Sequence, residues 1–339
     1  MGKREAGEIM KGCAIDIGTM NLVSARRTTS GVSIRRMRDV FLDLPKEAKK
    51  MLKLSGAEFI ERVEEDDIIV VGDAAMEIAA VYNKEVRRPL SSGLVSAGEL
   101  EAVSILGVLI KNVLGEPVIP GEACYFSVPA DPIDQLDRDI IYHTGIFDKI
   151  LTELGFTAYA SNEAMAVIYS ETSKDQFSGI SLSFGSGMLN AALAVNAMEG
   201  LSFSVARAGD WLDRGAAKSL GTTQARICSL KEKGINLMGP KTREEEALVF
   251  YYKNLIEYVI KHFVAQFKLK CHLAIPKPLP IIISGGTSLA EGFVDLFSSV
   301  FKKYQKRFPI EISEIRHASS PLNAVAQGLL VQAMQEYDE

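Results

Sequence analysis

The run Cys13-Ala14-Ile15-Asp16-Ile17-Gly18-Thr19-Met20-Asn21-Leu22-Val23-Ser24-Ala25 decides how this chain folds. An apolar strand closes on Asp16-Ile17-Gly18-Thr19-Met20-Asn21 and a second strand leaves it, which is the pattern of a tight hairpin. The pattern returns in the middle of the chain. Residues 179–183 close on Gly185-Ser186-Gly187 and reopen as Leu189-Asn190-Ala191-Ala192-Leu193-Ala194-Val195. Small residues at such turns supply positive φ and let another group come close to the backbone. Two similar hairpins imply an α/β chain built from duplicated lobes, and each turn has the make-up to wrap a phosphate.

Outward from the hairpins the reading is coarser. A charged stretch covers 35–67, a strand 68–72, helical periodicity 98–114 and a buried strand 124–128. The spacing predicts a helix over 132–154, with charges near its start at 134–139. A long helix is expected over 244–270, between the turn-rich 234–241 and Pro276, Pro278 and Pro280. Residues 280–283 read as a short strand entering Ser284-Gly285-Gly286-Thr287, with a helix over 289–304 after it.

Composition bounds what such a chain can do. Its 339 residues, 47% of them hydrophobic and 24% charged, can bury more than one core. The net charge of -5 offers no general basic surface, so no direct nucleic-acid partner is expected. Cys13, Cys124, Cys228 and Cys271 are widely spaced and form no CxxC pair, which fits reduced thiols in a cytoplasm. The first twelve residues lack the apolar core of a secretory signal, and no stretch is long and apolar enough to span a bilayer, so no membrane insertion is expected. His143, His262, His272 and His317 have no metal-binding spacing and read as solvated or capping side chains. Tyr251, Tyr252, Tyr258 and Phe263 read as the packed face of the long helix, and Lys302, Lys303, Lys306 and Arg307 as a solvated face.

The first turn sets a carboxylate beside exposed amides and a hydroxyl, the groups that a magnesium polyphosphate needs at close range. Amides can meet phosphate oxygens while Asp16 orients metal-bound water. Alone, the turn reads equally well as an ordinary hairpin turn. Three glycine turns after apolar strands, in this order, are far more specific.

With those motifs the chain resembles a known superfamily. Asp16-Ile17-Gly18-Thr19 resembles the first phosphate loop of the actin, seventy-kilodalton heat-shock and sugar-kinase superfamily, and Ser183-Phe184-Gly185-Ser186-Gly187-Met188 resembles the second. Ile283-Ser284-Gly285-Gly286-Thr287 is similar to the adenosine-contacting loop. Val71-Gly72-Asp73-Ala74-Ala75, Arg88-Pro89-Leu90, Gly93-Leu94-Val95, Gly209-Asp210-Trp211-Leu212-Asp213 and the segment from Pro321 to Gly328 resemble bacterial actins of the MreB, MamK and ParM type.

The resemblance implies a two-lobed actin-like fold, two ribonuclease-H-like domains with a nucleotide cleft between them. Its first lobe would be 1–160, with a small subdomain at about 33–95. The second would be 161–339, with a small subdomain at about 212–275 and a C-terminal segment returning toward the first lobe. ATP or ADP with Mg²⁺ is implied as ligand, held by Gly18, Thr19, Met20 and Asn21, by Ser183, Gly185, Ser186, Gly187 and Met188, and by Gly285, Gly286 and Thr287. Gly209, Asp213 and Lys231 complete the implied set. Ala225-Arg226-Ile227-Cys228 aligns with the place where the family has its nucleoside-contacting Glu and Lys, and Lys231 or Glu232 would substitute if the alignment slides. Glu163, in Asn162-Glu163-Ala164-Met165-Ala166, would position the attacking water, and Asp16 would hold the metal through water. Ser183 departs from the family, because an Asp is usual there and a neutral hydroxyl cannot organise Mg²⁺ as a carboxylate does.

Slow ATP hydrolysis coupled to self-association into cytoskeletal filaments is therefore the expected function, with a protein adaptor or cargo as a further partner. A non-filamentous nucleotide-dependent adaptor is the alternative. A small-molecule phosphotransferase would need a carboxylate base beside an acceptor pocket, and the sequence offers no convincing one.

Overall fold

The computed structural model describes residues 8–62, 66–82, 84–96, 98–99, 101–135, 140–275 and 277–337. Packing divides the chain into two compact units, Met1–Phe126 with Ile141–Ala160 and Ala333–Glu339, and Ser127–Ile140 with Ser161–Gln332.

In the first unit, β1 (Ile9–Ile17) and β2 (Asn21–Thr28) form the expected hairpin, and β3 (Gly31–Arg38) continues it antiparallel. A small subdomain follows, with β4 (Phe41–Pro45), α1 (Lys49–Ser55), β5 (Phe59–Arg62), β6 (Asp67–Val71) and α2 (Asp73–Tyr82). Its three-stranded sheet, ordered β4-β6-β5, rests on a core of Leu42, Leu44, Leu52, Ile68, Val70 and Ala75. A short hairpin, β7 (Leu90–Ser91) and β8 (Leu94–Val95), leads to α3 (Ala102–Leu114), β9 (Glu122–Val128), α4 (Ile141–Glu153) and β10 (Phe156–Asn162). β9 lies parallel to β1, and the main sheet runs β10-β9-β1-β2-β3.

The second unit repeats this plan. It opens with α5 (Glu163–Glu171), and its hairpin is β11 (Gly179–Phe184) and β12 (Leu189–Val195), continued by β13 (Met198–Val205). There follow α6 (Gly209–Leu220), α7 (Gln224–Glu232), α8 (Arg243–Lys270), β14 (Leu279–Ser284), α9 (Phe293–Phe301), β15 (Ile312–His317) and α10 (Ala324–Gln335). β14 is parallel to β11, and the order β13-β12-β11-β14-β15 retraces β3-β2-β1-β9-β10 strand for strand. Every residue of β11, β12 and β14 is buried, which is why these strands read as mostly apolar runs, with Ser181, Ser183, Asn190 and Ser284 as their buried polar positions, rather than as alternation.

Helix α8 shows how the sequence specifies an element. Thr242 caps it in a reciprocal box with Glu245, acids fill its first turn and Lys268 and Lys270 its last. Leu248, Tyr252, Leu255, Val259 and Phe263 then form one buried stripe against the aromatic core of Phe184, Phe203, Phe293 and Phe297. Tyr252 and Phe263 are thus core, as their spacing predicts.

Several readings shift. The expected helix over 132–154 begins at Ile141, and residues 136–139 of its charged start lie outside the described residues. The helix expected over 289–304 is shorter, α9 running only from Phe293 to Phe301, because Gly292 takes a left-handed φ of 76° just before it. The described residues of the charged 35–67 stretch form strands, a 3-10 turn and α1. His143 is no solvated histidine: it is buried, packs edge-on against Phe147, and accepts the Val95 amide proton at Nδ1.

Candidate functional site

In the first turn the Gly18 amide donates to the Asn21 carbonyl at 3.1 Å, directly after the Ile17–Leu22 pair of the hairpin. Thr19 is buried, and its Oγ1 accepts the Gly93 amide proton at 3.1 Å. The hydroxyl's own proton therefore points away from Gly93 and is available to an acceptor. Gly93 can reach Thr19 because Ser92 and Gly93 both take left-handed φ, 50° and 79°, at the tip of the β7–β8 hairpin. That hairpin is anchored at Val95 by His143, whose pKa burial pushes down to about 4, so the ring is neutral and can accept. Asp16, at the end of β1, is half-buried.

The second turn has the same backbone. The Gly185 amide donates to the Met188 carbonyl at 3.1 Å, after the Phe184–Leu189 pair. It is held far more tightly. The Gly185 carbonyl accepts from Thr287 Oγ1 at 2.7 Å and from the Gly209 amide at 3.1 Å. Ser186 Oγ donates to Asp210 Oδ1 at 2.8 Å, and the Asp210 amide returns a bond to the Ser186 carbonyl at 2.8 Å. No side chain fits at three points of this junction: a Cβ on Gly185 would lie 2.6 Å from the Met188 oxygen, on Gly209 2.5 Å from Thr287 Oγ1, and on Gly285 2.3 Å from the Phe184 oxygen. At Gly286 the nearest atom is a Leu322 methyl at 3.3 Å, so Gly285 rather than Gly286 is the sterically demanding glycine of that pair.

Ser183 ends β11 in register with Asn190 on one side and Ser284 on the other, and only 4% of it is exposed. Counting back from the paired glycines, Ser183 holds the place in the second unit that Asp16 holds in the first.

Glu163 is the first residue of α5. Asn162 caps the helix by accepting the Ala164 and Met165 amides, which fixes the direction in which Glu163 leaves the backbone. Its Oε2 accepts from Asn190 Nδ2 at 2.7 Å. The Asn190 carbonyl oxygen in turn accepts from Ser204 Oγ at 2.8 Å and the Ala130 amide at 3.3 Å. A backbone amide can only donate, so the Asn190 amide cannot flip and its NH₂ must face Glu163. Sequence reading passed over Asn190, although one polar residue in an otherwise apolar strand was the available signal. Asp210 was missed for the opposite reason, because an acid in the first turn of a helix is ordinary.

On α6 and α7, Lys231 Nζ lies 2.8 and 2.9 Å from the two oxygens of Asp213, and 3.4 Å from the Gly209 carbonyl. Burial holds the Asp213 carboxyl above its ordinary range, and Lys231 opposes that shift. The structure thus gathers Gly185, Ser186, Gly209, Asp213, Lys231, Gly285 and Thr287 in the second unit, with Gly187 and Met188 closing the turn. In the first unit it gathers Asp16, Gly18, Thr19, Met20 and Asn21. Among the described residues no group of three or more His, Cys, Asp or Glu side chains could by itself cage a metal ion.

Comparison with known structures places the fold. A MamK double helical filament superposes with a TM-score of 0.72 at 18% identity, covering 95% of this chain and 98% of that one. MreB5 of Spiroplasma citri bound to AMPPNP gives 0.65 at 13% identity, covering 96% of each chain. The ethanolamine utilization protein EutJ of Carboxydothermus hydrogenoformans gives 0.53 at 14% identity, covering 95% of this chain and 89% of that one. A search of curated proteins by sequence finds no match. Residues 11–333 match the family described as Volactin, a span that includes both hairpins and every site residue placed above. The two-lobed actin-like fold expected from the glycine turns is therefore the fold of this chain, and the chain belongs to the Volactin family.

Proposed function

We propose that this protein binds ATP or ADP with Mg²⁺, turns ATP over slowly, and assembles with copies of itself into filaments. The observation that carries this reading is the duplicated hairpin with its two glycine turns, supported by an acid at the start of α5. Relatives of the same fold point the same way: MamK forms a double helical filament, and MreB5 is known bound to AMPPNP and to ADP.

In this reading the first turn offers the Thr19 hydroxyl as a donor to a phosphate oxygen, and Asp16 holds the ion through water. When bound, Mg²⁺ would screen the phosphate charge that these residues meet. The second turn, Gly185 to Met188, meets a phosphate through its backbone, and Gly285, Gly286 and Thr287 meet the nucleoside. Glu163, fixed by Asn190, accepts a proton from water and turns its lone pair toward the terminal phosphate. Ser183 brings no charge to this step, which supports slow turnover.

Calorimetry with ATP and Mg²⁺ on folded protein tests binding, and its absence removes the reading. Pelleting and electron microscopy with ATP test assembly. A second reading, a non-filamentous nucleotide-dependent adaptor, is favoured by Ser183 alone, since a slowly cleaved nucleotide suits a held switch. It predicts binding without pelleting. All four cysteines are free thiols, which supports a reducing, cytoplasmic setting, and among the described residues no helix is long and apolar enough to cross a membrane.

A further inference from the structure

Buried polar side chains form a row across the five-stranded sheet of the second unit, at the end nearest its glycine turns. Register pairs Ser204 with Asn190, Asn190 with Ser183, and Ser183 with Ser284. Residues in register on neighbouring strands project from the same face of a sheet. Two bonds identify that face. Ser181, two residues before Ser183, donates to the Ala164 carbonyl of α5 at 2.6 Å, and Asn190 donates to Glu163 at 2.7 Å. The row therefore lies on the side of the sheet that carries the start of α5.

The serines around this face spend their hydroxyls within the fold. Ser204 Oγ bonds Asn190 Oδ1 at 2.8 Å, Ser178 Oγ donates to the Gln176 carbonyl at 3.3 Å, and Ser288 Oγ to the Gly285 carbonyl at 2.7 Å. Ser284 differs. Its side chain is 0% exposed, and among the described residues its Oγ has no hydrogen-bond partner. Its register partner Ser183, itself buried, does not supply the bond. A buried hydroxyl left without a partner destabilises a fold, and a bound water is the ordinary remedy.

The spacing suits one water. Neighbouring strands lie about 4.8 Å apart, too far for one hydroxyl to bond the other directly. Two successive bonds of about 2.8 Å, bent at a water oxygen, span such a gap. A water held in this way has bonding capacity left for a third group, and Glu163 is the carboxylate on this face.

We propose that Ser183 and Ser284 hold one water between them, and that this is the water Glu163 turns toward the terminal phosphate. The water's use rests on the nucleotide reading above; its presence does not. In the step, the water oxygen bonds phosphorus as the phosphorus–oxygen bond to the leaving diphosphate breaks. One proton passes to Glu163, and the other stays on the released phosphate. Ser183 and Ser284 are positioning residues: they fix the oxygen and take no proton.

The first test needs no nucleotide. Ser183→Ala, Ser284→Ala and the double variant are compared by chemical denaturation. With a water bridging the pair, each single change lowers the midpoint, and the double lowers it no further than the larger single, because either loss breaks the bridge. Deleting a hydroxyl that truly has no partner would leave the midpoint unchanged or raise it. The second test follows phosphate release. Ser284→Ala should slow it about tenfold with nucleotide affinity unchanged, the mark of a misplaced nucleophile, and Ser284→Thr, which keeps the hydroxyl, should restore it. If Ser284→Thr is too bulky to fold, Ser183→Ala decides, with the same tenfold loss expected. Additive midpoints, a Ser284→Ala midpoint at or above wild type, or coupled midpoints with unchanged release overturn the proposal. Coupled midpoints in a protein that binds no nucleotide overturn the nucleotide reading and leave the bridged pair standing.

Discussion

In the first turn the hydroxyl of Thr19 receives a proton from the Gly93 amide; in the second, the hydroxyl of Ser186 gives its own proton to Asp210. The backbones are copies, yet the hydroxyl of the first remains a donor toward anything in front of it, and that of the second can only accept. The same split runs through the other matched positions. Asp16 is matched in the second unit by Ser183, and Val23, paired with Asp16 across the first hairpin, corresponds to Asn190, paired with Ser183 across the second. A duplicated fold has kept its strands and divided its chemistry: charge and a donor in one unit, a clamped backbone and a carboxylate holder in the other.

The largest expected effect breaks the comparison on steric grounds. Gly285→Ala combines a left-handed φ of 87° with a Cβ 2.3 Å from the Phe184 oxygen. It should cost roughly 3 kcal/mol or more in chemical denaturation. Gly185→Ala should cost more than Gly18→Ala, because the added Cβ meets Met188 at 2.6 Å but Asn21 at 3.0 Å. Equal losses at the two turns would mean the second is no more tightly clamped than the first.

Next comes turnover. Glu163→Gln should lower phosphate release about a hundredfold with nucleotide affinity unchanged, as expected for a residue that acts on attack rather than on the ground state. Asn190→Ala, which removes only the holder, should lower it about tenfold, and Val23→Ala should leave it alone. Release in Asn190→Ala that matches wild type would demote that hydrogen bond to packing.

Metal dependence sharpens the Asp16–Ser183 contrast. Asp16→Ala should weaken the Mg²⁺-dependent part of nucleotide affinity by about 10–100-fold, the usual cost of losing an outer-sphere partner. Ser183→Asp places a charge where only 4% of the side chain meets solvent. Without Mg²⁺ it should lose about 2 kcal/mol of stability. With Mg²⁺ and ATP it should recover and release phosphate faster. Weaker nucleotide binding with no gain in rate would show instead that the added charge repels the phosphates. The smallest effect is Ser186→Ala, about 1 kcal/mol in denaturation for one lost side-chain bond.

Much of this was legible in the sequence because glycine turns and apolar runs are local signals. Gly18 and Gly185 mark their hairpins without knowledge of any neighbour, and the mostly apolar β11, β12 and β14 announce buried strands. What escaped was set by distant partners. Nothing near Ser92 and Gly93 says that their turn ends on Thr19, 74 residues earlier in the chain. His143 was misread although it lies on the buried stripe of its own helix with Phe147, Ile150 and Leu151, because its polar partner, the Val95 amide, is 48 residues away. Nor does the sequence show that Gly285 is crowded by the Phe184 backbone, which belongs to a strand about one hundred residues away.

One contact sets what can move. A Cβ on Gly328 would fall 1.7 Å from the Ala166 carbonyl oxygen, so the backbones of α10 and α5 touch, and Ser161 Oγ bonds Gln332 at 2.7 Å beside them. Helices in such contact have no side-chain layer on which to slide, and they turn as one lever. Glu163 sits at the end of that lever, so a tilt of α10 is a displacement of the carboxylate, and a probe fixed near Gln332 would report on it without touching the turns at all.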